Sequence, residues 1–161
     1  MYDSSELENL PVPVQRYLRM VLRDGQPLIG AVHAEQAGQF RMDIRKKNWQ
    51  PFEATQQVVT TRPGFLWDAR IQILPAVSAY VRDMYIGCEG ILQAALFGLI
   101  PVAKIKNTRE MAEGELMRFL AEAPWYPTVL LPGHGVTWKA VSDSSAQATL
   151  TDGDCKVSLL F

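Results

Sequence analysis

Cysteine and histidine are scarce in this chain of 161 residues, with two of each. Cys88 and Cys155 fit no metal-ligand spacing and stand too far apart for a thioredoxin-type pair. His33 and His134 belong to no HExxH, and P-loop, GxGxxG and GxSxG strings are missing too. The residues therefore give no support to nucleotide, zincin or serine-hydrolase chemistry. No sign of charge dominates: sixteen basic residues meet seventeen acidic ones, for a formal net charge of -1. Such a balance gives no electrostatic reason to expect nucleic acid as a partner. Long apolar runs are lacking as well. The longest nearly uncharged stretch, from Gly90 to Ala103, is broken by Gln93, Gly98 and Pro101. It falls short of the roughly 20 residues that span a bilayer as a helix. The first ten residues, MYDSSELENL, are acidic and polar, unlike a secretion signal. These absences predict a cytoplasmic protein with no cofactor, no metal, no transmembrane segment and two reduced thiols. A long-range disulfide is the alternative if an export segment precedes the chain.

What is present is globular. Apolar residues make up 48% and charged residues 20%, and the length suits a single domain over residues 1–161. Val14, Tyr17, Leu18, Val21 and Leu22 recur at helical spacing after Pro13, and Asp24-Gly25 closes that helix. The period then changes to two. A strand from Ile29 to Glu35 turns near Gly38, and Phe40, Met42 and Ile44 alternate with Arg41, Asp43 and Arg45. Further strands run from Phe52 to Thr61, through Phe65, Trp67, Ala69, Ile71 and Ile73, and from Tyr80 to Ile86. Residues 91–106 are too densely apolar to separate strand from helix. A second helix opens at Thr108, carries Ala112, Leu116, Phe119, Leu120 and Ala123 on one stripe, and stops at Pro124. Gly114 inside it suggests close packing against another backbone. Three short strands end the chain: 136–141, 146–151 and 156–161. The last predicts either a chain cut short or a strand held between neighbours. The fold class is α+β: a curved antiparallel sheet with two main helices packed on it.

The strings LPVPVQRYLR, WQPFEATQ, GFLWDARI, VRDMYIGCEG, LFGLIPV, GELMRFLAEAPWYPTVLLP, VTWKAV and SSAQATLTDG occur in that order. Together they resemble an uncharacterised bacterial domain family of unknown function, over nearly the whole chain. The resemblance implies the curved half-barrel of lipoprotein carriers (the LolA/LolB-like arrangement), with helices plugging its concave face. It brings no catalytic residue with it.

Candidate chemistry is thin. His134 lies in a Pro-Gly-His-Gly turn, with no partner to make it a base. His33 and Glu35 share a strand face but lack the third ligand of a zinc site. Glu110, Glu113, Glu115 and Glu122 on the second helix read as surface ion-pairing with its arginines. Asp68 and Arg70 share one strand face, Asp83 and Tyr85 another, and Arg70 could meet Asp83 across the ladder. Aromatics say more. Trp125 and Tyr126 follow Pro124 at the end of the second helix, as rings at pocket mouths do.

Three readings result. The first is a module binding an apolar small molecule or lipid, with Phe65, Trp67, Ile71, Phe97, Trp125 and Tyr126 lining the cavity. The second is an interaction domain, a homodimer paired through an open sheet edge. The third is a hydrolase-like enzyme, with Glu115, Asp83, Tyr85 and His134 as its candidates.

Overall fold

A computed structural model describes residues 1–41, 45, 48–106 and 108–161. Helix α1, Val12–Val21, begins with Pro13 in its first turn, where a missing N–H costs nothing. It buries Val14 and Leu18, and the chain turns extended at Leu22. Tyr17 donates its hydroxyl to the Pro124 carbonyl at 3.2 Å, tying α1 to the far end of the second helix.

Six strands follow in a meander: β1 Ala31–Phe40, β2 Gln50–Val59, β3 Gly64–Leu74, β4 Val77–Ile86, β5 Glu89–Leu96 and β6 Ile100–Lys106. Each pairs antiparallel with the next. β1 runs straight through Gly38 and does not turn there, while the alternation expected at 42–44 lies outside the described residues. The ambiguous segment 91–106 resolves into β5 and β6 joined by a turn at Phe97-Gly98. Dense apolar residues on both phases of a strand look the same in sequence as a buried helix. Period-two burial is cleanest in β3, where Phe65, Trp67, Ala69 and Ile71 face inward.

Helix α2, Arg109–Glu122, is capped by the Thr108 hydroxyl, which accepts from the Met111 amide at 3.1 Å. Its stripe of Ala112, Leu116, Phe119 and Leu120 is buried. Close backbone packing occurs, but the glycine responsible is Gly90 of β5. A Cβ there would sit 3.1 Å from the backbone of Met111 and Ala112, whereas Gly114 meets nothing within 4 Å. Short 3-10 turns lead to a second sheet of β7 Val136–Ala140, β8 Ala146–Asp152 and β9 Cys155–Leu160. The expected single curved sheet is thus two sheets, neither closed into a barrel, and α2 packs against β5 of one and β9 of the other. β9 pairs with β8 alone among the described strands, so it is an edge and is not held between neighbours.

The sheets are stapled together. Cys88, in the β4–β5 turn, forms a disulfide with Cys155 at the start of β9. This corrects the expectation of two reduced thiols. Beside it the Tyr85 hydroxyl donates to Asp152 Oδ2 at 2.8 Å and accepts from the Cys88 amide at 3.2 Å. Burial, then the Asp152 carboxylate, pushes the Tyr85 pKa well above its ordinary value. Among the described residues no helix is long and apolar enough to cross a membrane.

Candidate functional site

Two polar assemblies lie on opposite faces of the six-stranded sheet. The first is buried beneath α2. The Trp67 indole N–H donates to Gln36 Oε1 at 2.8 Å, and Gln36 Nε2 donates to Gln56 Oε1 at 2.8 Å. Gln56 Nε2 reaches Glu122 Oε2 at 2.5 Å. Arg118 closes the chain, donating to Glu122 Oε1 at 2.9 Å and to Asp83 Oδ2 at 2.7 Å. Its guanidinium also lies over the rings of Phe65 and Trp67, 4.8 and 5.2 Å from their centroids. One planar cation therefore offsets two carboxylates and caps two aromatic faces, a task suited to arginine and not lysine.

Glu115 completes this assembly. It and Asp83 are each 8% exposed, and among the described residues Asp83 Oδ1 and Glu115 Oε2 have no hydrogen-bond partner. Burial, then the Asp83 charge, pushes the Glu115 pKa up to about 7. Burial raises Asp83 as well, against the pull of Arg118. A proton held between the two carboxyls would satisfy an oxygen that otherwise has no partner. Raised carboxyl pKa values also mark catalytic acids. Here, however, neither the groove across the outer face nor the smaller one beside Phe52 and Gln72 borders the pair. Tyr85 is committed to Asp152, and His134 lies in a 3-10 turn of the segment 132–134. Of the four enzyme candidates the structure joins two, Glu115 and Asp83.

The second assembly is open. A groove of about 900 Å³ crosses the sheet, lined by two rows of cross-strand neighbours. One row is Glu35, Thr55, Asp68, Arg82 and Gln93, and the other is Ala37, Glu53, Arg70, Tyr80, Ala95 and Pro101. Strand alternation puts these rows on the face away from α2, because Phe65, Trp67 and Asp83 occupy the opposite phase. Ala54, Ala69, Val81, Ala94 and Ala103 also border the groove, but they lie on the phase of Trp67, so the apolar side chains on the groove's own phase are Ala37, Tyr80, Ala95 and Pro101. Arg82 holds Asp68 in a two-pronged pair at 2.7 and 3.1 Å. Arg70 donates to the Ser78 hydroxyl at 3.3 Å and does not reach Asp83, whose partner is Arg118.

The six residues expected to line a cavity do not converge. Phe65, Trp67, Ile71 and Tyr126 are core, and Tyr126 donates its hydroxyl to the Phe119 carbonyl at 2.8 Å. Phe97 and Trp125 are exposed, and none of the six borders the groove. His33 is exposed on β1, and Glu35 on the same strand lines the groove. The buried chain had one legible signal: Gln56 interrupts the inward phase of β2, which is otherwise apolar at Phe52, Ala54 and Val58. The groove had none, since its rows exist only once five strand registers are set.

No curated protein and no solved structure matches the chain. A family does match, over residues 8–161. The chain belongs to the family of unknown function DUF6920.

Proposed function

We propose that this domain is a binding module for an anionic amphiphile, a lipid or fatty acid, held in the open groove and not inside the core. The groove's lining carries the reading: Ala37, Tyr80, Ala95 and Pro101 offer an apolar bed for an acyl chain, and Arg70 stands among them. The volume of about 900 Å³ suits a ligand of that size. The earlier expectation of an apolar ligand keeps its chemistry and changes its face. The buried carboxyl pair is architecture in this reading, and no enzymatic step is assigned to it.

Oleate is the probe. Calorimetric titration should show one molecule bound per chain. Ala95→Trp, which fills the groove, and Arg70→Glu, which reverses the charge, should each weaken binding about tenfold, or roughly 1.4 kcal/mol. Unchanged affinity in Ala95→Trp would sink the proposal.

A further inference from the structure

The charges along the groove do not cancel. Five charged side chains line it, and Asp68 and Arg82 neutralise each other in their two-pronged pair. Glu35, Glu53 and Arg70 remain. Glu53 stands directly opposite Arg70 across the β2–β3 ladder, where Cβ atoms are about 5 Å apart. The two nevertheless form no ion pair. Arg70 Nε turns instead to the Ser78 hydroxyl at 3.3 Å. Its Nη groups and the carboxylates of Glu35 and Glu53 bond nothing among the described residues. Glu35 is the diagonal neighbour of Glu53, because Ala37 is the residue that faces Glu53 in the β1–β2 register. Such diagonal positions lie roughly 7–8 Å apart.

Two hollows meet at these residues. The smaller, of about 300 Å³, holds Pro51, Phe52 and Gln72 and shares Ala37, Glu53 and Arg70 with the larger. A head group seated at that waist has an unpaired cation on one side and two unpaired carboxylates on the other. From Arg70 the row runs on through Tyr80 and Ala95 to Pro101. Three strand spacings, about 14 Å, leave room there for a hydrocarbon chain.

The unpaired charges decide what kind of head fits. A plain anion held by Arg70 would lie beside Glu53 and Glu35, and like charges at that range repel. A plain cation held by the two carboxylates would meet Arg70. A head carrying both signs satisfies all three residues. A primary ammonium brings three donors, enough to reach both carboxylates, while a phosphate takes the paired Nη donors of the guanidinium.

We propose that the groove selects a zwitterionic amphiphile of the phosphoethanolamine type, with its ammonium at Glu53 and Glu35, its phosphate at Arg70 and its chain along Tyr80, Ala95 and Pro101. The inference rests on the groove as a lipid site and names the class of head group it takes.

The experiment is calorimetric titration with two probes below their micelle-forming concentrations. Lauroyl lysophosphatidylethanolamine and lauroyl lysophosphatidate share chain and phosphate and differ in the ammonium. The first should bind about fivefold or more tightly than the second. Glu53→Gln, which keeps the shape and removes the charge, should weaken the first about fivefold and leave the second as tight or tighter. Glu53 is exposed, so circular dichroism and thermal melting of the variant should match the parent. Glu35→Gln should act in the same direction with a smaller effect. Equal affinity for the two probes, tighter binding of lysophosphatidate, or a preference that survives both substitutions would each overturn the zwitterion and leave the groove as a lipid site. Failure of both probes and of oleate to bind would remove the groove reading itself, and this inference with it.

Discussion

The two ends of the six-stranded sheet differ in almost every physical respect. At one end the β4–β5 turn is bound by a disulfide, a tyrosine bridge and the close approach of α2 to Gly90. At the other, three hairpins show aromatic and aliphatic side chains to solvent. The two faces repeat the contrast. Under α2 the polar groups are linked in one chain from Trp67 to Asp83, whereas on the outer face Arg70 bonds the Ser78 hydroxyl at 3.3 Å and lies along an open groove. Polar residues thus mean different things in the two places. Buried, they are costly unless satisfied and so report on architecture. Exposed around a groove, they are cheap to keep and free to meet a ligand.

The contrast can be broken by experiment. The largest effect belongs to the staple. Cys88 and Cys155 close a loop of 67 residues, and replacing both by serine should cost about 4 kcal/mol by denaturant unfolding. A loss below about 1 kcal/mol would mean the closed end does not depend on it. The next test sets two arginines against each other. Arg118→Leu leaves buried Asp83 and half-buried Glu122 without their cation and should cost about 3 kcal/mol. Arg82→Leu removes a solvent-exposed pair and should cost under about 1 kcal/mol. Equal costs would erase the distinction between the faces.

A further effect is a dependence on pH. Glu115 holds its proton in the folded state up to about pH 7, while the unfolded chain releases it near the ordinary 4.5. The folded state binds more protons across that window, so stability falls as pH rises through it and levels off above. Glu115→Gln removes this titration and still offers Asp83 a donor. It should flatten the profile and stabilise the protein by roughly 1–2 kcal/mol at pH 8. A variant less stable than its parent at that pH would contradict the shared proton.

Much of the fold was legible because local signals agreed with tertiary ones. Pro13 and Thr108 marked helix starts, and the alternation of Phe65 to Ile71 marked β3. The division into two sheets was not legible, since no local pattern says which strand a strand will pair with. The groove was lost for the same reason. Its rows join residues up to 64 positions apart in sequence, from Ala37 to Pro101, and only register brings them into line. Large aromatics drew attention to Phe65 and Trp67, which the core absorbs, while small residues such as Ala95 define the open surface. Cys88 and Cys155 were read apart because sequence distance hides a Cα separation of 5.6 Å.

The central claim is that ligand meets the outer face and not the core. Amide chemical-shift mapping during an oleate titration tests it most directly. The expected result is a set of shifts along Glu53, Arg70, Tyr80, Arg82 and Ala95, with Phe65, Trp67, Ile71 and Phe119 unmoved. Shifts concentrated on those four core residues would show that the ligand enters beneath α2, and would contradict the account.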